Sequence, residues 1–189
     1  MQDIYYRSTY ASPVGEIFLV SDGKAILSLC IEEQRYLKPL PPEPARDGRD
    51  IPVLRQAARW LDAYFHGEKP ELKGLPLTLK GSGFQQCVWQ ILQEIPYGEL
   101  TTYGEIAREA AKRMGRERMS AQAVGGAVGH NPISIIVPCH RVIGANGNLT
   151  GYAGGIDKKI KLLQHEGVDM SRLFVMAAGR RRMNNGHLF

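Results

Sequence analysis

The apolar residues of this chain change period at one place, the Gly81-Ser82-Gly83 segment, and any fold for it must bury two different patterns. Upstream, Ile4 to Tyr10, Ile17 to Ser21 and Ala25 to Ile31 alternate and are rich in β-branched and aromatic residues. With Ser12-Pro13-Val14-Gly15 and Asp22-Gly23 as turns, they predict an antiparallel meander. Lys38 to Pro52 holds five prolines among mixed charges and reads as an exposed loop. Val53, Leu54, Ala57, Leu61, Tyr64 and Phe65 then recur at helical spacing up to Gly67, so a helix should lie on one sheet face. A short extended piece follows near Leu75 to Leu79.

Downstream the pattern is helical. Phe84, Val88, Leu92 and Ile95 line one face of a helix that stops at Pro96-Tyr97-Gly98, and Thr102 with Glu105 forms a capping box for the next, from Tyr103 to Arg113. A basic stretch with Lys112, Arg113, Arg116 and Arg118 leads to Ser120, an N-cap for a third helix. That helix has hardly any side-chain bulk: Ala121, Ala123, Gly125, Gly126, Ala127 and Gly129. Each glycine costs a helix about 1 kcal/mol relative to alanine, so close approach to something is implied. A thin second helix of a helix-turn-helix lying on DNA satisfies this, and so does a tight helix crossing inside a core.

The expected organisation is an α/β (α+β) protein: an N-terminal antiparallel sheet with a helix (1–80), a mostly helical C-terminal domain with a helix-turn-helix (81–170), and a disordered basic tail (171–189). Charge separates along the same line. Residues 1–80 carry 11 basic and 11 acidic side chains, residues 81–189 carry 13 and 8, so the whole net charge of +5 sits in the second part. A polyanion suits such a surface, although solubility alone also explains it. No apolar run approaches the roughly 20 residues of a membrane span, and Met-Gln-Asp-Ile does not begin like a secretory signal. The expectation is a cytoplasmic protein. Cys30, Cys87 and Cys139 are widely spaced, which fits neither a disulfide framework nor a metal site.

Chemistry concentrates in Asn131-Pro132-Ile133-Ser134-Ile135-Ile136-Val137-Pro138-Cys139-His140-Arg141-Val142-Ile143-Gly144. A cysteine beside His and Arg has its thiolate favoured by positive charge. Neighbouring side chains on an extended strand point apart, however, so Cys139 and His140 cooperate only if the backbone turns there or a water links them.

Taken whole, the segment resembles the active-site motif of the O6-alkylguanine-DNA alkyltransferases, also called methylated-DNA-protein-cysteine methyltransferases. The likeness continues through Phe84-Gln85-Gln86, Ile95-Pro96-Tyr97-Gly98, Tyr103, Ala123-Val124-Gly125-Gly126-Ala127, Asn131-Pro132, Tyr152-Ala153-Gly154-Gly155 and His165-Glu166-Gly167. It is looser upstream, where the strand-rich pattern agrees with the family's ribonuclease-H-like domain.

The resemblance implies that Cys139 accepts an alkyl group from O6 of a flipped-out guanine, once per molecule, that His140 takes the thiol proton through a water, and that Glu166 orients His140. It further implies that Tyr103 donates to N3 of the leaving base and that Asn131 ties the helix-turn-helix to the active-site loop. Tyr152 and Ala153 line the guanine pocket by the same likeness, and the carbonyls of Cys139 and Val142 accept from the exocyclic amine. Gln122, Ala123, Gly126, Ala127 and Arg141 are implied to meet DNA, with the thin helix in the minor groove. The implied partner is double-stranded DNA carrying O6-alkylguanine, bound by a monomer without cofactor or metal, with O4-alkylthymine as a further substrate class.

Three departures stand out. Gln122 occupies the position of the family's intercalating arginine, Ala153 stands where some members have serine, and the connection from Arg108 to Met119 is long. Two other readings compete: a lesion-binding relative without transfer, which lacks the acceptor cysteine, and a cysteine hydrolase, for which no signature is present.

Overall fold

The computed structural model describes residues 4–34, 45–177 and 180–183. Strands β1 (Tyr6–Ser12), β2 (Gly15–Ser21) and β3 (Ile26–Ile31) form the meander, paired antiparallel in order, and β4 (Arg46–Asp47) adds parallel to β1. Gly15 closes the first hairpin at φ +111°, a conformation side chains resist. The Asp22 carboxylate holds the second turn by accepting from the amides of Lys24 and Ala25, each at 2.9 Å. Most of the proline-rich loop expected from Lys38 lies outside the described residues.

Helix α1 (Pro52–Phe65) starts with proline in its first turn, where no amide partner is lost, and buries Val53, Leu54, Ala57, Leu61 and Tyr64 on the sheet. Strand β3 is covered along its outer edge by two later segments. Ile26 bridges to Leu77, and Leu29 bridges to Ile133, both in parallel. The extended piece expected near Leu75 to Leu79 is therefore an edge cover, and the Asn131–Gly144 segment is attached to the N-terminal sheet by main-chain hydrogen bonds.

Helices α2 (Gly83–Gln93), α3 (Tyr103–Arg113) and α4 (Ala121–Gly129) pack against one another. Capping boxes start two of them, Ser82 with Gln85 and Thr102 with Glu105, and Ser120 caps the third. The first half of the long connection expected from Arg108 to Met119 is helix, because α3 continues to Arg113, and residues 114–120 join it to α4. Strand β5 (Thr101–Thr102) pairs in parallel with β6 (Val142–Ile143), and α5 (Ile156–His165) follows. The apolar core runs without interruption from β2 and α1 into α2, α3 and α4, across the boundary expected at residues 80 and 81.

Within the stretch expected as a disordered basic tail, β7 (Phe174–Ala177) and β8 (Arg180–Met183) pair antiparallel. Residues 184–189 and the side chains of Arg180, Arg181 and Arg182 lie outside the described ones. Among the described residues no helix is long and apolar enough to cross a membrane, and no three His, Cys, Asp or Glu side chains cluster as a metal ion requires.

Candidate active site

Asn131 organises the loop that carries the cysteine. Its buried side chain accepts from the Ile133 amide at 3.1 Å and donates to the Val137 carbonyl at 2.8 Å, so both ends of the loop are tied to one residue. Between them the Ile136 amide bonds the Ser134 carbonyl at 2.8 Å, a three-residue turn centred on Ile135 at φ +67°. A β-branched residue there holds strain of about 1–3 kcal/mol. A second three-residue turn at Pro138 (φ −81°, ψ 63°) joins the Cys139 amide to the Val137 carbonyl. The chain then enters a single 3-10 turn, Cys139–Arg141, which supplies the bend that adjacent Cys and His require.

His140 and Glu166 meet in the interior. His140 Nε2 lies 2.7 Å from Glu166 Oε1, both side chains are fully buried, and His140 Nδ1 has no partner. Glu166 collects four more donations: Tyr64 hydroxyl at 2.8 Å, Arg141 through Nη2 at 2.9 Å and Nε at 2.8 Å, and the Gly98 amide at 3.1 Å. Burial alone would raise the Glu166 carboxyl, but His140 and Arg141 carry it far below the carboxylate range. Burial pushes His140 down, and the field of Arg141 and Lys159 adds to this against the pull of Glu166. The resting pair is a carboxylate and a neutral imidazole whose Nε2–H donates, which leaves Nδ1 as a base.

Cys139 is 5% exposed. Burial raises its thiol, opposed by the side chains of Asn131 and Ser134 and by the charge of Lys159. Lys159, on α5, is fully buried and donates to the carbonyls of Val142 and Thr150. Burial brings its ammonium down to about 8, with the Cys139 sulfur acting the other way. Tyr103 is pushed up to about 12 by burial and the proximity of Cys139. Its hydroxyl bonds the chain's own carbonyls, Gly151 at 3.1 Å and Thr150 at 3.2 Å. Gly151 must be glycine, because a Cβ at its φ of +66° would lie 2.7 Å from that hydroxyl.

A cavity of about 750 Å³ opens between α4 and the Gly151–Gly155 loop, lined by Gly125, Gly126, Gly129, His130, Tyr152 and Ala153 among others. A Cβ at Gly126 or Gly129 would meet nothing within 4 Å, and one at Gly125 would only touch the Tyr103 ring at 3.9 Å. No tight crossing in the core accounts for these glycines.

Two family models match the chain: the ribonuclease-like domain of 6-O-methylguanine DNA methyltransferase over residues 5–79 and its DNA-binding domain over residues 83–168. The chain belongs to that family. A methylated-DNA–protein-cysteine methyltransferase of Haemophilus influenzae is 43% identical over 167 residues, 88% of each chain. One of Methanosarcina acetivorans is 44% identical, covering 86% of this chain and 98% of its own. The fold is similar to that of Mycobacterium tuberculosis OGT solved in complex with DNA, with a TM-score of 0.73 at 44% identity, covering 89% of this chain and 94% of that one.

For a member of the 6-O-methylguanine DNA methyltransferase family, the residues expected from sequence fall in distinct places. Cys139, His140, Asn131 and Glu166 are buried, Tyr152 and Ala153 line the cavity beside α4, Tyr103 bonds the Thr150 and Gly151 carbonyls at its edge, and Gln122, Ala123 and Gly126 lie exposed on α4. Two of the residues expected to meet DNA are buried. Arg141 is buried, 8% exposed, spent on Glu166 and on the Ile95 carbonyl at 2.6 Å, because the 3-10 turn points it inward. Ala127 faces the core, where its carbonyl accepts from Trp89 Nε1 at 2.9 Å. Arg113, grouped with the basic stretch, is paired with Glu94 at 2.6 Å and Glu109 at 2.7 Å. Sequence reading missed Tyr64, Gly98 and Lys159. The first was hidden in an apolar helix pattern and the second in a turn; Lys159 does sit at a core position of α5, four residues before Leu163, which was the available signal.

Proposed function

We propose that this chain repairs DNA by transferring an alkyl group from O6 of guanine to the Cys139 sulfur in a single irreversible event. The observation that carries the reading is the buried His140, next in sequence to Cys139, fixed by Glu166 through Nε2 and left with Nδ1 unpaired. The thiol proton passes through a water to Nδ1, the sulfur attacks the alkyl carbon, and the carbon–O6 bond breaks with its electron pair going to the base. Tyr103 releases its carbonyl partners and gives a hydrogen bond at N3 that takes up the charge developing on the base, and the proton that His140 took from the thiol returns through water, so the base leaves neutral. Cys139 remains as a thioether.

The base reaches this pocket by leaving the helical stack, because a buried sulfur cannot enter a duplex. The exposed glycine face of α4 enters the minor groove, Gln122 fills the space left by the base, and Arg108, Lys112, Arg116 and Arg118 contact phosphates. With α3 it forms the helix-turn-helix of a chain acting as a monomer in the cytoplasm. Methyl is the group proposed first, with O4-alkylthymine as a further substrate.

Excess labelled O6-methylguanine duplex tests this. Label should move to protein and stop at one group per chain, with the mass gain on the peptide holding Cys139, and Cys139→Ser should accept none. Repeated turnover would replace this reading with a hydrolase, and binding without transfer would replace it with a lesion-binding protein.

A further inference from the structure

The relay leaves one polar pair at the cysteine loop unexplained, Ser134 and Gln34. Ser134 is 1% exposed, and its hydroxyl donates to Gln34 Oε1 at 2.9 Å. Gln34 lies just beyond β3, so this bond crosses from the N-terminal sheet to the cysteine loop. The same oxygen accepts the Ile31 amide at 3.1 Å. Main-chain bonds repeat the crossing, Leu29 amide to Pro132 carbonyl at 2.9 Å and Ser134 amide to Leu29 carbonyl at 2.8 Å. The positive-φ turn at Ile135 follows at once and folds the loop back. Ser134 and Cys139 are thereby both buried in one compact loop that Asn131 closes at the Ile133 amide and the Val137 carbonyl, where the hydroxyl works against burial to favour the Cys139 thiolate, and the buried Tyr152 oxygen has no hydrogen-bond partner.

We infer that Ser134 is a positioning residue for the Cys139 sulfur, aimed by Gln34, and that the N-terminal sheet acts on the acceptor through this pair. A serine hydroxyl has one proton and two lone pairs. While Cys139 is a thiol, the proton serves Gln34. Once the sulfur is a thiolate, the hydroxyl rotates to donate to it, and Gln34 Oε1 keeps the Ile31 amide, so no buried group is orphaned. The other charged or titratable groups around Cys139 are Lys159 from α5, Tyr103 from α3, Tyr152 from the following loop and His140 beside it, with Arg141 and Glu166 behind. Ser134 is the donor in this set that the sheet controls.

The inference rests on Cys139 being the acceptor, and it is tested without DNA. Iodoacetamide labelling of the Cys139 peptide is followed by mass spectrometry across pH for the wild type, Ser134→Ala, Ser134→Thr and Gln34→Leu. Ser134→Ala should move the labelling midpoint to higher pH and slow transfer from methylated duplex about tenfold at neutral pH, with duplex Kd held within about twofold. Ser134→Thr should restore the midpoint, and Gln34→Leu should shift it the same way by less. A Ser134→Ala protein with lowered Tm but an unmoved midpoint overturns the inference, since the serine then only packs. If that variant does not fold, an unmoved midpoint in Gln34→Leu overturns it. A shifted midpoint in a chain that takes nothing from DNA sinks the proposed substrate and leaves the inference intact.

Discussion

His140 Nε2 lies 2.7 Å from Glu166 Oε1 in a site with no exposed side-chain surface on either residue, and this one contact fixes which imidazole nitrogen is the base. A glutamine at position 166 can present either its oxygen or its amide to Nε2, so the tautomer is no longer set. Glu166→Gln should slow single-turnover transfer by about 10²–10³-fold with little change in duplex binding, as expected when a general base loses its orientation. Rapid-quench transfer alongside a binding titration checks it, and an equal loss in both would assign Glu166 a structural role instead.

Arg141 tells the opposite story about its expected place. It is one of the two cationic or cation-capable partners of a carboxylate that is itself sealed from water, and it also donates to the Ile95 carbonyl in the turn after α2. Removing one partner of a buried ion pair strands the other charge, at about 3–5 kcal/mol. Arg141→Met should therefore lose about that much in urea unfolding, while the salt dependence of DNA binding by the remaining folded protein stays that of the wild type. A flattened salt slope without loss of stability would return Arg141 to the DNA surface.

The same buried pair sets how stability responds to acid. The unfolded chain protonates His140 below its ordinary 6.5 while the native one, with its imidazole depressed by burial, does not. Glu166 repeats this below 4.5, with a native carboxyl depressed by His140 and Arg141 after burial has opposed them. In both windows the unfolded state binds more protons, so stability falls as pH falls. Urea midpoints should decline from about pH 6.5 downward and more steeply below about 4.5. In Glu166→Gln the steeper part should flatten. A wild-type midpoint that is level between those values would mean that His140 is already charged in the fold.

Lys159 is a buried cation whose hydrogen-bond partners among the described residues are two carbonyls, and its charge works against burial to favour the thiolate when Cys139 ionises. Lys159→Met keeps the volume and removes the charge. Transfer at neutral pH should slow about tenfold and recover toward wild type as pH rises, because the thiol must then ionise without help. Recovery with pH separates this from collapse of the Val142 and Thr150 contacts, which no proton release repairs.

Local rules made much of this legible. The capping box at Thr102 and Glu105 places the start of α3, and turn chemistry at Asp22-Gly23 places the second hairpin, because each depends on neighbours along the chain. The Cys139 segment stood out through its resemblance. What stayed hidden depends on partners far apart in sequence. Tyr64 reads as one more apolar position of α1 until Glu166, 102 residues later, is found against its hydroxyl. Arg141 counts as surface charge until the 3-10 turn sets its direction. Leu29 gives no hint that β3 will carry the cysteine loop, since edge pairing is a property of the assembled sheet.

The glycines of α4 were the ambiguous case, open to both a packing and a DNA reading, and the space around them suggests a test that separates the two. Nothing lies within 4 Å of a Cβ at Gly126, so Gly126→Ala should stabilise the fold by about 0.5–1 kcal/mol through helix propensity alone. Gly126→Leu also fits the free protein, since that position is exposed. If this face meets the floor of a groove, each added carbon holds the helix away from the bases. Duplex affinity should fall modestly for alanine and by more than about tenfold for leucine, at about 1.4 kcal/mol per decade, while iodoacetamide labelling of Cys139 stays unchanged. Thermal melts and duplex titrations on the same samples decide it. A leucine variant that melts early would return the glycine to a packing role, and one that binds duplex normally would move the DNA surface off this helix.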